Sequence, residues 1–156
     1  MSKIITKVKV KPEAVEIRYL EKDGKADKEV IYKCPEAPHP DLDAAMSALV
    51  RDVYDILELP LDWAPQRMKI TGVSFSCHEE TGVEGAVITG VVELRASNAP
   101  FCFNTPHIPF DQYSDGGTAP VMSEAAIRNL EIVKHEADRY VGDKRAQLEL
   151  AGMEKE

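Results

Sequence analysis

Arg67-Met68-Lys69-Ile70-Thr71-Gly72-Val73-Ser74-Phe75-Ser76-Cys77-His78, the run Gly85-Ala86-Val87-Ile88-Thr89-Gly90-Val91-Val92-Glu93-Leu94-Arg95-Ala96, and then Phe101-Cys102-Phe103-Asn104-Thr105-Pro106-His107-Ile108-Pro109-Phe110 form the stretch that decides the fold. Val, Ile, Phe and Thr dominate it, and its breaks fall at Glu80-Thr81-Gly82 and Ser97-Asn98-Ala99-Pro100, which supply turn chemistry. The stretch reads as the central meander of an antiparallel sheet. Val73, Phe75 and Cys77 point one way, and Gly72, Ser74, Ser76 and His78 the other. Ala86, Ile88, Val92 and Leu94 alternate with Val87, Thr89, Val91, Glu93 and Arg95, so the second strand is apolar on one face and half-apolar on the other. A solvated face does not normally carry Val87 and Val91, which marks them as interface candidates.

Working outward, Ile4, Thr6, Val8 and Val10 alternate with Lys3, Lys7 and Lys9, with Ile5 the exception, and predict a strand ended by Pro12. Val15, Ile17 and Tyr19, then Val30, Tyr32 and Cys34, predict a hairpin turned at Asp23-Gly24. Pro35 to Pro40 is a stiff connector, because each proline lacks an amide donor and restricts the residue before it. From Asp41, Leu42, Ala45, Met46, Leu49, Val53, Ile56 and Leu57 recur at helical steps, with Asp43, Ser47, Arg51, Asp52, Asp55 and Glu58 opposite. Asp41 or His39 is the expected cap, and Pro60 closes the helix. Trp63 is expected to anchor the following link on the core, with a ligand platform as the alternative. Ser123 caps a second helix with its stripe at Ile127, Leu130, Val133 or Lys134, Ala137, Tyr140 and Val141, and Gly142 ends it; a further turn or two from Asp143 to Leu150 precedes frayed residues 152–156. The expected fold is a single α+β domain over residues 1–156, with antiparallel sheet in βββ-α-βββ-α order and two helices packed on one face.

The chain has 156 residues, 44% of them hydrophobic, and a formal charge of −8. Residues 1–35 carry nine Lys/Arg against six Asp/Glu and the remainder ten against twenty-one, so long-range steering opposes duplex DNA. Lys3, Lys7, Lys9 and Lys11 form the one basic run. It reads as a guarded sheet edge, with single-strand nucleic-acid contact as the alternative. No stretch is long and apolar enough for a membrane span or a signal peptide, so a cytoplasmic protein is expected. Cys34, Cys77 and Cys102 are odd in number and lack CxxC spacing, which predicts reduced, mostly buried thiols.

Chemistry-bearing patterns are sparse. His39, His78, His107 and His135 are dispersed, with no HxH or HExxH, so neither a metal nor a cofactor is expected. Cys77 or Cys102 as a nucleophile with His107 or His78 competes with plain packing beside Phe75, Phe101 and Phe103. The connection from Asn104 to Met122 is long and rich in proline, and long loops of this kind often bind or cover ligands. Asn104, Thr105 and His107 supply donors and acceptors there, with Asp111, Tyr113 as a lid, and Gly116 and Gly117 ahead of a helix whose amides suit a phosphate. His107, Asp111 and Asp115 are the candidates for acid-base work.

The segments Ile70-Thr71-Gly72-Val73-Ser74-Phe75, Gly85-Ala86-Val87-Ile88-Thr89, Asn104-Thr105-Pro106-His107 and Gly142-Asp143-Lys144-Arg145-Ala146-Gln147 resemble a group of small uncharacterised proteins of tailed bacteriophages and prophages. The resemblance implies a setting in the host bacterial cytoplasm, in replication, recombination or counter-defence, and carries no activity. The leading expectation is a non-enzymatic, homo-oligomeric accessory protein that binds a small nucleotide-like ligand or a host protein. Two alternatives stand beside it: a nucleotide hydrolase or transferase using His107 and the loop carboxylates, and a single-strand nucleic-acid accessory using the basic strands.

Overall fold

A computed structural model of the chain describes residues 2–24, 26–60, 67–77, 82–111 and 120–142. Its elements run β1 (Ser2–Val10), β2 (Val15–Asp23), β3 (Ala26–Cys34), α1 (Pro40–Leu57), β4 (Met68–Cys77), β5 (Glu84–Glu93), β6 (Pro100–Asn104), β7 (Ile108–Pro109) and α2 (Glu124–Val141). This is the expected α+β order, with β7 added inside the stretch read as a connection. The strands form one sheet in the order β3-β2-β1-β4-β5-β6, antiparallel throughout, and β7 continues along β5 beyond β6.

The two strand groups join where Lys7, Val8 and Lys9 pair with Ser74, Val73 and Gly72. Gly72 permits the junction, since a Cβ there would stand 3.0 Å from the Val8 carbonyl oxygen. Across the sheet, Ile17, Val8, Val73 and Ile88 lie in register and are fully buried. They share one core with Leu49 and Val53 of α1 and Leu130 and Val133 of α2. Each such side chain contributes about 1.5–3 kcal/mol through removal from water. Among the described residues, the opposite sheet face carries no helix.

Local chemistry explains the helix ends. His39 Nδ1 accepts from the Asp41 amide at 3.1 Å, and Asp41 and Asp43 sit in the first turn, where the helix dipole favours anions. Glu58 ends α1 in the left-handed region at φ 56°, its amide donating to the Tyr54 carbonyl. Ser123 Oγ accepts from the Ala126 amide at 3.2 Å at the start of α2. Tyr140, fully buried, packs edge-on to Tyr32 and donates its hydroxyl to the Glu36 carbonyl at 2.6 Å, tying α2 to the proline-rich connector.

Four expectations are corrected. The register of β1 shifts between Ile5 and Lys7, so a bulge at Thr6 reverses the alternation: Ile5 joins the core and Ile4 is 40% exposed. Asp52, placed on the wet side of α1, is buried against α2, where Asn129 Nδ2 donates to it at 2.9 Å. Cys77 and Cys102 are exposed and Cys34 half-buried, because Cys102 pairs with Val91 on the uncovered face and Cys77 ends β4. Thr105 is buried and spent on the sheet, its amide donating to the Ile88 carbonyl and its hydroxyl accepting from the Ile88 amide, each at 2.9 Å. Trp63, His78 and residues 143–156 lie outside the described residues.

Candidate functional site

The alternation of β1 after its bulge places Lys7 and Lys9 side by side on the face that no helix covers. The facing residues of β4, β5 and β6 on that side are Gly72 and Ser74, Val87 and Thr89, and Asn104. Together they enclose a shallow depression of about 240 Å³, with Gly72 giving its floor no side chain. Thr89 Oγ1 donates to Asn104 Oδ1 at 2.6 Å, which fixes the amide plane and turns the Asn104 nitrogen into an available donor. Glu16, across the strand from Lys9, is held by Arg18 at 3.3 Å and Lys33 at 3.5 Å. Among the described residues, neither Lys7 nor Lys9 has a carboxylate within ion-pair distance. Two uncompensated ammonium groups beside hydroxyls and an amide suit an anion.

The same face continues to the end of the sheet, where His107 Nε2 lies 2.7 Å from Ser76 Oγ. Gly85 makes room for that ring, because a Cβ there would fall 2.5 Å from Nε2. Val87 and Val91 are half-buried here, on the side away from both helices. Ile31 is 50% exposed on the same side, opposite Arg18.

A second and larger cavity, about 700 Å³, lies on the helix side. The last turns of α1 form one wall through Asp52, Asp55 and Glu58, and Pro106 to Pro109 with Pro120 to Ser123 form the others. Burial chiefly raises the pKa of Asp52; the Asn129 hydrogen bond opposes this, the Asp55 charge adds to it, and Arg51 opposes it. No Lys or Arg stands in the last turn of α1, so these carboxylates meet the negative end of the helix dipole with no cation in that turn.

The residues singled out from sequence are thus divided. Asn104, Lys7, Lys9 and Val87 converge on the uncovered face, while His107 lines only the larger, helix-side cavity. Asp111 is exposed and lines neither. Tyr113, Gly116 and Gly117, with Asp115, lie outside the described residues. Lys3 does not join Lys7 and Lys9: it faces the helix side, 5.5 Å from the Tyr19 ring centre and 3.9 Å from Asp138, and Lys11 lies beyond the end of β1. The four lysines therefore make no single stripe, which weakens the strand-tracking reading. Ser74 and Thr89 escaped notice as site residues because each is an ordinary strand residue until Lys7 and Lys9 arrive beside it. Among the described residues, no helix is long and apolar enough to cross a membrane, and no group of His, Cys, Asp and Glu could hold a metal ion. No protein-family model, no curated protein and no solved structure matches this chain.

Proposed function

We propose that this protein binds a small phosphate-bearing, nucleotide-like ligand on its uncovered sheet face, without catalysing a reaction on it. The observation that carries the reading is the pair of ammonium groups, Lys7 and Lys9, without a carboxylate partner among the described residues, at a hydroxyl- and amide-lined depression in an otherwise acidic protein. The depression, about 240 Å³, has room for a phosphate group together with part of its nucleoside. Val87 and Val91 extend from it as an apolar shelf on which a base can rest. The enzymatic alternative has less to stand on: the His107 ring nitrogen is engaged by Ser76, and Asp111 lines neither depression.

The same face supports a homo-oligomer, in which a second copy covers Ile31, Val87 and Val91. Light scattering at high micromolar concentration tests this, and a strict monomer rejects it. The phage or prophage setting rests on the resemblance of the four segments; the binding reading rests on geometry and stands without it.

Titration calorimetry with a panel of mono- and dinucleotides tests the ligand class. Binding is expected for phosphorylated members and not for the nucleosides. Loss of one lysine should weaken it about tenfold, the scale of one charge-assisted contact of about 1.5 kcal/mol. Turnover of any member, abolished by His107→Ala, would replace this reading with the hydrolase.

A further inference from the structure

The 700 Å³ cavity on the helix side is not used by the anion site, and its chemistry is opposite in sign. Asp52, Asp55 and Glu58 stand at three-residue steps along the end of α1, so their backbone positions climb about 4.5 and about 9 Å along the helix axis. Asp52 is 5% exposed. Asn129 takes its Oδ2, and among the described residues its Oδ1 has no hydrogen-bond partner, although the side chain borders the cavity. Facing these acids are apolar groups, Ile108, Pro109 and Met122. A buried carboxylate with an open acceptor, two further carboxylates and a greasy opposite wall form a site of mixed character.

The geometry points to a binding site for an aliphatic cation with two charged ends, a diamine or an amino-guanidine on a short methylene chain. A single ammonium would answer Asp52 alone. A chain of four methylenes sets its two charges roughly 6 Å apart, close to the rise between Asp52 and Asp55 and short of Glu58, and lays its hydrocarbon against Ile108 and Met122. Occupation would also place positive charge at the carboxyl end of α1, whose last turn holds no basic residue. The cavity's volume lies within the range usual for small-molecule sites. This inference is independent of the anion site, and the failure of either leaves the other standing.

Calorimetry on the full chain with 1,4-diaminobutane and with agmatine tests it, with butylamine and 1,4-butanediol as controls. Binding of both dications is expected, weaker binding of butylamine, and none of the diol. Asp52→Asn and Asp55→Asn should each weaken dication binding about tenfold, the loss of one charged partner. Asp55 is exposed, so its variant keeps the fold and leaves the test valid if the Asp52 variant does not. Absence of dication binding, equal binding of the diol, or unchanged affinity in both variants would overturn the proposal.

Discussion

Glu16 and Asp52 are both buried carboxylates, and their neighbours drive them in opposite directions. Burial pushes Glu16 up, but the charges and hydrogen bonds of Arg18 and Lys33 outweigh it and hold the carboxyl below its usual 4.5. A group depressed in the folded state stabilises it above the unfolded pKa and loses that contribution as pH falls through the folded value. Wild-type protein should therefore lose stability below pH 4.5 more steeply than Glu16→Gln, as thermal melts across pH would record. For Asp52 burial prevails over Asn129 and the folded pKa is raised. Its contribution is complete below the unfolded value of 3.8 and is lost as pH rises through the folded one, so the ionised form is a cost at neutral pH. Asp52→Asn should raise the melting temperature at pH 7, and the difference should vanish below pH 3.8. Thr105→Val keeps the shape but strips the acceptor from the buried Ile88 amide; chemical denaturation should report a loss of about 1–3 kcal/mol.

At the scale of elements, the edge strand depends on two glycines of β5. Phe103 and His107 reach back across Gly90 and Gly85, and a Cβ at Gly90 would lie 2.5 Å from Phe103 Cζ and 2.9 Å from the Lys69 carbonyl oxygen. The ring can swing aside but the β4 backbone cannot, so Gly90→Ala should cost about 1–3 kcal/mol in denaturant unfolding, as overpacking does. Period and punctuation made most elements legible: the Asp23-Gly24 turn, the His39 and Ser123 caps and the stripes of both helices all follow from local chemistry. What escaped was non-local. The Thr6 bulge leaves no mark in an alternating run except Ile5, whose burial is set by its pairing with Tyr19. Asp52 reads as solvated by residue type, although Ala45 and Leu49, seven and three residues earlier, place it on the apolar stripe. β7 is short because Pro109 offers no amide to the ladder, and only its pairing with Gly85 and Ala86 defines it.

For the molecule as a whole, the acidic balance and the cationic depression act at different ranges. A small ligand seated beside Lys7 and Lys9 interacts mainly within a Debye length of about 8 Å at physiological salt, whereas a polyanion would also meet the acidic remainder of the surface. Nucleotide affinity should accordingly fall only modestly between 50 and 200 mM salt, by about one order of magnitude for two neutralised phosphate charges rather than the far steeper loss of a long nucleic-acid tract. The central claim is that the sheet face without helices is the ligand surface. Amide chemical-shift mapping during titration with a nucleoside triphosphate tests it most directly. Shifts are expected to cluster at Lys7 to Lys9, Gly72 to Ser74, Val87 to Thr89 and Asn104, all lost in a Lys7→Ala, Lys9→Ala double variant that keeps its fold. Shifts confined to α1 and α2, or a saturable response that survives the double substitution, would contradict it.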